Sequence, residues 1–292
     1  MLPILCLSLL VCFLTYTTGA VLSASALHIE HAPYKAPLCP PPAGCREQPA
    51  AATPRTPFSS RSPEQLEAWE DFHELLREEP APPPGSVVFW GDSIFEAFRG
   101  TSFGRECERC EGVPGKFEAA TESFPAVVQA ISGDQTQHLL HRIEAAPWPA
   151  PLEAALHVVL IGTNNLGAGM SAGQAVEGVR AVVGALRGAA GDGGRVLLLG
   201  LLPRGGLQEQ EQVAAVNGQL EEIEGEGGFG EGTTFVNCGE VFVGEGGGGE
   251  GGEGAWDVDV GLMPDRLHPN AEGVERWFGE CLKEAIDDIL DK

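Results

Sequence analysis

The sequence predicts an α/β protein in which a parallel sheet lies between two layers of helices. Two observations carry this. Residues 156–161 and 195–202 are continuous apolar runs of strand length, the form taken by strands buried on both faces. Around them, residues 137–144, 172–186 and 208–223 carry apolar positions at helical spacing, so strand and helix alternate along the chain. Right-handed crossovers in such a chain bring the C-terminal ends of all strands to one edge of the sheet, where ligands of these sheets bind.

The remaining elements follow in order. Ser62 can cap a helix that has Pro63 in its first turn and Leu66, Trp69, Phe72 and Leu75 along one face, and the Pro-rich run at 80–85 stops it. Residues 86–90 form a short apolar strand, 126–131 a weaker one and 233–236 another. The last helix spans 271–290. Two stretches read as insertions: 99–121, polar and containing Cys107-x-x-Cys110, and 244–254, a low-complexity loop of little but Gly and Glu.

Residues 1–26 read as a signal peptide. Their apolar run is too short to span a bilayer and suits the central region of an export signal, with small residues at Ala20 and Ala26 for cleavage. Residues 27–62 are rich in Pro, Ala and Ser and read as a disordered linker, since they bury too little apolar surface to offset the entropy of ordering. The domain proper is then 63–292. Beyond the leader stand Cys39, Cys45, Cys107, Cys110, Cys238 and Cys281, an even set that predicts disulfides in an exported protein and leaves the pairing open. The reading is a secreted or secretory-lumen protein with no membrane span in the mature chain. With 42 acidic against 18 basic residues, a net charge of −24 excludes nucleic acid as a partner and disfavours anionic membranes.

Four strand ends carry chemistry. The first runs into Gly91-Asp92-Ser93, where glycine allows a sharp turn and Ser93 opens a helix whose free N–H groups favour negative charge. The second ends at Ser132-Gly133-Asp134, where Gly133 can present its N–H with no side chain in the way. The third ends at Gly162-Thr163-Asn164-Asn165, and an Asn amide there can donate two hydrogen bonds. Near the C-terminus, Asp265 stands three residues before His268, so a carboxylate can hold the imidazole in one tautomer. Each motif alone is also an ordinary turn or helix cap. Together they supply a nucleophile, a base, its orienter and donors for a tetrahedral oxyanion, the parts a serine esterase needs. The Gly-x-Ser-x-Gly elbow of another esterase fold is absent around Ser93.

Gly91-Asp92-Ser93, Gly133, Gly162-x-Asn164 and Asp265-x-x-His268 resemble the four blocks of the SGNH (GDSL-like) hydrolases. The stretches 87–93, 133–138, 157–165 and 199–205 are most similar to the catalytic subunits of intracellular platelet-activating-factor acetylhydrolases. The resemblance covers roughly residues 64–290 and implies a flavodoxin-like α/β/α sandwich. It implies Ser93 as nucleophile, His268 as base then acid, Asp265 as orienter, and an oxyanion hole of the Ser93 and Gly133 N–H groups with the Asn164 amide. It places Ile94, Thr163 and Leu267 around a small acyl pocket that favours acetyl, although apolar pockets discriminate weakly by single methylenes. No metal or organic cofactor is implied. The leader, the Pro-rich segment, the cysteines and the Gly/Glu loop depart from those intracellular enzymes. The family's substrate and dimeric assembly therefore do not carry over directly: the expected substrate is a small-molecule, short-chain ester, of carbohydrate, a small ester or an acetylated phospholipid, and a homodimer is one expected assembly. Two other readings share these residues: a non-catalytic glycan-binding module, and an O-acyltransferase.

Overall fold

The computed structural model describes residues 47–145, 154–191, 193–244 and 257–291. Helix α1 (Pro63–Glu78) starts where the sequence predicts, with the Ser62 hydroxyl accepting from the Gln65 N–H at 3.2 Å. Its buried face is Ala68, Trp69, Phe72 and Leu76, whereas Leu75 is exposed. The helix is thus rotated from the expected stripe, because Trp69 and Phe72 set its seat. Next come β1 (Val87–Gly91), the short helix α2 (Ser93–Glu96), and a hairpin of β2 (Thr101–Ser102) and β3 (Arg105–Glu106). They are followed by α3 (Val113–Ala120), β4 (Ala126–Ala130), α4 (Thr136–Glu144) and β5 (Leu156–Leu160). The chain continues through α5 (Thr163–Gly167), α6 (Ala172–Ala190), β6 (Val196–Leu199), α7 (Leu207–Gly225) and β7 (Thr233–Val236). It ends in α8 (Ala271–Trp277) and α9 (Lys283–Leu290), joined by a π-helical turn, Phe278–Leu282, which interrupts the expected single helix.

Five parallel strands form the sheet in the order β4-β1-β5-β6-β7. This is the flavodoxin-like order, whose crevice opens where the winding reverses beside the first strand. Strands β1, β5 and β6 are buried along their whole length, which is why they read as unbroken apolar runs. The edge strands β4 and β7 are partly exposed, which is why their signal is weaker. Helices α4, α6 and α7 pack side by side as one layer, and α3, α8 and α9 make the other. Between this second layer and β1 lies an aromatic cluster of Phe89, Phe95, Phe98, Phe117, Trp277 and Phe278, with the Phe98 and Phe117 rings stacked at 4.4 Å.

One expectation is corrected. Residues 47–62 are not a disordered linker: Arg55 and Ser60 are buried, and the segment is tied to α4 by hydrogen bonds from Thr53 N to Gln137 O (3.1 Å) and from Thr136 Oγ1 to Pro49 O (2.9 Å). Polar partners rather than apolar burial offset its ordering entropy. Residues 99–121, expected as an insertion, send Cys110, Val113 and Phe117 into the main core. Cysteines pair as Cys107–Cys110 and Cys238–Cys281, the second joining the segment after β7 to the π-turn. The expected signal peptide at 1–26, the rest of the linker at 27–46 with Cys39 and Cys45, and the Gly/Glu tract beyond Gly244 lie outside the described residues. Among the described residues no helix is long and apolar enough to cross a membrane.

The Cys238–Cys281 bridge closes a separation of 43 residues and Cys107–Cys110 one of 3. Loop-closure entropy grows with length, so replacing Cys238 and Cys281 by Ala is expected to cost roughly 2–5 kcal/mol. Replacing Cys107 and Cys110 by Ala is expected to cost less. Urea midpoints of the two double variants check the order.

Candidate active site

Three of the four motifs follow strand ends, whereas Asp265-x-x-His268 lies beyond the last strand, in the loop before α8; all four meet at one edge of the sheet. At the end of β1, glycine is needed for close approach rather than for an unusual turn. A Cβ at Gly91 would stand 2.5 Å from the Leu160 carbonyl oxygen of β5 and 3.0 Å from the Phe95 ring. Asp92 then caps α2, its Oδ1 accepting from the Ile94 N–H at 3.0 Å, and Ser93 is the first helical residue. Asp92 is fully buried. Burial pushes its carboxyl up to about 7, with the nearby Asp134 adding to the rise and the Ile94 hydrogen bond, Arg204 and Arg109 opposing it.

The loop after β4 is gripped on every side. The Ser132 N–H donates to the buried Glu96 carboxylate (2.6 Å), and the Ser132 carbonyl accepts from Arg55 (2.9 Å). Asp134 accepts from the Trp69 indole at 2.6 Å and from Arg142 at 2.7 Å. Between them Gly133 has φ 76°, a left-handed conformation that favours glycine. Among the described residues its N–H has no acceptor. After β5, Gly162 turns the chain at φ 122° and α5 begins. The Asn164 amide donates to Asp92 Oδ2 (3.1 Å) and to the Asp134 carbonyl (2.9 Å). This bond set joins three strand ends.

His268 and Asp265 arrive from the loop before α8. His268 Nδ1 is 2.6 Å from Asp265 Oδ2, and His268 Nε2 is 2.9 Å from the Ser93 hydroxyl, across a separation of 175 residues. An ionised carboxylate only accepts, so Nδ1 carries the proton and Nε2 is left to accept from Ser93. The other Asp265 oxygen accepts from the Leu267 and His268 N–H groups at 3.0 and 2.8 Å. Partial burial works against the Asp265 charge, but the His268 side-chain hydrogen bond and charge and the two backbone bonds outweigh it and hold the carboxyl down at about 2. Burial lowers the His268 pKa, assisted by the charges of Arg109 and Arg204 and resisted by Asp265. A neutral imidazole facing a hydroxyl, with an ionised carboxylate behind it, can act as a general base for acyl transfer.

Of the residues expected to line an acyl pocket, Ile94 and Thr163 are buried and Leu267 is half-buried. The Thr163 hydroxyl and carbonyl both accept from Arg204, the hydroxyl at 2.9 Å. Sequence reasoning did not single out Arg55, Arg109 or Arg204. Arg204 lies in a stretch already matched by resemblance, Arg109 sits between the two cysteines of Cys107-x-x-Cys110, and Arg55 stood in a segment dismissed as a linker. In a chain with so few basic residues, arginines beside motifs were the available signal.

The model of the GDSL-like lipase/acylhydrolase family matches residues 89–276. Solved structures similar in fold include a GDSL-like lipase from Bacteroides thetaiotaomicron, at 19% identity over 75% of this chain and 97% of that one, with a TM-score of 0.54. Another is a carbohydrate acetylesterase family member from Sinorhizobium meliloti, at 18% identity over 71% of this chain and all of that one (100%), with a TM-score of 0.50. No curated protein sequence matches.

The charge balance around the imidazole gives a testable order. Titration of His268, followed by its ring proton shifts in NMR, is expected to have its midpoint below the ordinary value of 6.5. Asp265→Asn removes the group that holds the value up, so it is expected to move the midpoint lower still. A midpoint at or above 6.5, or an upward move in the variant, would contradict this balance.

Proposed function

Because the chain belongs to the GDSL-like lipase/acylhydrolase family and is a carboxylic ester hydrolase, we propose that Ser93 is its nucleophile and that it cleaves short-chain, foremost acetyl, esters. The observation that carries this reading is the hydrogen-bonded line Ser93–His268–Asp265, with steps of 2.9 and 2.6 Å. His268 Nε2 takes the hydroxyl proton as Ser93 Oγ bonds to the ester carbonyl carbon. The carbonyl π pair moves onto oxygen, which is held by the Ser93 and Gly133 N–H groups. Asn164 can join them by releasing its longer bond, the one to Asp92. Collapse breaks the bond to the alcohol, which leaves with the proton from His268. Water then attacks the acyl-serine by the same route, and the acid departs. Asp265 fixes the imidazole tautomer and steadies its charged form.

Burial of Ile94 and Thr163, with Thr163 locked by Arg204, supports a small acyl site. The likeness to a carbohydrate acetylesterase family member makes acetylated carbohydrate the first natural substrate to test. The paired cysteines and the leader support export of the mature chain.

Ser93→Ala is expected to abolish turnover of 4-nitrophenyl acetate while leaving the far-ultraviolet circular dichroism unchanged. Wild-type protein is expected to turn over the acetate ester faster than the octanoate. Persistence of activity in Ser93→Ala sinks the nucleophile assignment, and a preference for octanoate sinks the acyl-length assignment.

A further inference from the structure

We infer that Arg55 is a positioning residue for acyl transfer: its guanidinium holds the Ser132-Gly133 peptide so that the Gly133 N–H meets the oxygen of a carbonyl bound at Ser93. The inference rests on the Ser93 reading given above. Arg55 belongs to the segment that precedes α1 and is 6% exposed. Its Nη1 donates to the Ser132 carbonyl at 2.9 Å, on the peptide whose N–H belongs to Gly133. Its other donors reach Ser60 Oγ (3.1 Å), the Ser59 carbonyl (3.1 and 3.3 Å) and Gln65 Oε1 (3.4 Å). A Cβ on Gly133 would lie 2.8 and 2.9 Å from its two terminal nitrogens, so the guanidinium covers the glycine directly. The Phe103 ring backs it, 5.3 Å from the guanidinium carbon.

Two features separate this arrangement from ordinary packing. Every hydrogen-bond acceptor of Arg55 is neutral, and among the described residues no carboxylate lies within salt-bridge distance of it. Within those residues no anion touches it, the charges of Asp134 and Glu47 favouring its charged form from farther off, and it stands beside the N–H toward which negative charge develops in the reaction. The segment is also anchored on its far side. Glu47 accepts from His138 and Gln137 of α4 at 2.8 and 2.9 Å, so both flanks of the Gly133 loop are tied to the same strap. Polarising the Ser132 carbonyl also makes the N–H of that peptide a stronger donor.

The test uses the full chain with Arg55→Met and Arg55→Lys, 4-nitrophenyl acetate as substrate, and a phenylboronic acid whose adduct with a serine carries negative tetrahedral boron. A displaced oxyanion donor costs up to about 10²-fold in rate. Arg55→Met is accordingly expected to lower kcat by about tenfold to a hundredfold with KM within about twofold, and to weaken boronate inhibition by a matching factor. Arg55→Lys keeps the charge without the planar fork and is expected to recover part of the loss. Thermal melts separate loss of fold from loss of positioning: if Arg55→Met does not fold, the kcat and boronate affinity of Arg55→Lys decide. Wild-type kcat in the folded variants, or a fall in kcat with boronate affinity unchanged, overturns the inference while leaving Ser93 in place. Wild-type protein lacking Ser93-dependent turnover would instead remove the reading on which it rests.

Discussion

A buried ion pair, Arg142 with Asp134, fixes where the strand ends of this protein meet. Both residues are almost wholly shielded from solvent, and the Arg142 Nε stands 2.7 Å from Asp134 Oδ2. Arg142 also donates to the carbonyls of Gly91 and Gln129, at the ends of neighbouring strands β1 and β4. Asp134 receives the Trp69 indole from α1 through its side chain and the Asn164 amide through its carbonyl. Asp134 and Arg142, through their side chains and the Asp134 backbone carbonyl, thus connect α1, α4 and the ends of three strands. Such a pair offers no assured gain in stability over an apolar replacement, but removing either partner leaves a buried charge uncompensated. Its consequence is geometric: the loops carrying Ser93, Gly133 and Asn164 cannot shift independently.

The same logic extends outward. Glu96, at the end of α2, accepts from the N–H groups of Ser132 and Gly104 and from the Thr101 hydroxyl, so the hairpin and the Gly133 loop share an anchor with the helix that begins at Ser93. The His268 loop is held from its own side. Asn270 caps α8 through the Gly273 N–H at 2.8 Å and donates to the Gly261 carbonyl at 2.7 Å. Arg266, at a left-handed φ of 59°, reaches the Gly205 carbonyl at 3.2 Å. These polar contacts hold the Gly133 loop and the Ser93 and His268 side chains in fixed relative positions.

These contacts also mark the limit of what the sequence discloses. Strands β5 and β6 were legible because burial on both faces leaves an unbroken apolar run, and α1 because Ser62 and Pro63 punctuate its start. The candidate site was legible as four short motifs: three stand at strand ends, which parallel topology brings together whatever lies between them, and Asp265-x-x-His268, in the loop before α8, was legible from its own spacing. Trp69, Asp134 and Arg142 were not legible as a unit: their pairing spans 65 residues in one case and 8 in the other and follows no periodicity. The segment at 47–62 was misread for a related reason. Proline and small residues suggest a chain with nothing to bury, but its order comes from hydrogen bonds to polar groups elsewhere in the fold. The π-turn at Phe278–Leu282 is equally silent, because the apolar spacing around it still fits a helix.

Environment, rather than residue type, separates the roles open to the two aspartates beside the candidate catalytic groups. Asp92 adjoins Ser93 in the chain and Asp265 lies near His268, and either carboxylate is chemically able to orient an imidazole. Asp92 is fully buried, and burial raises its carboxyl to about 7, so near neutrality it is poorly suited to bear a fixed negative charge. The Asp265 side chain is 44% exposed; water and its hydrogen bonds from His268 and Leu267 keep it ionised down to about 2. The more exposed carboxylate is therefore the one able to steady an imidazolium over the range in which an imidazole can act as a base. Two acids pushed apart in this way leave one free to orient the His268 imidazole while the other holds the Ile94 N–H and the Asn164 amide beside Ser93.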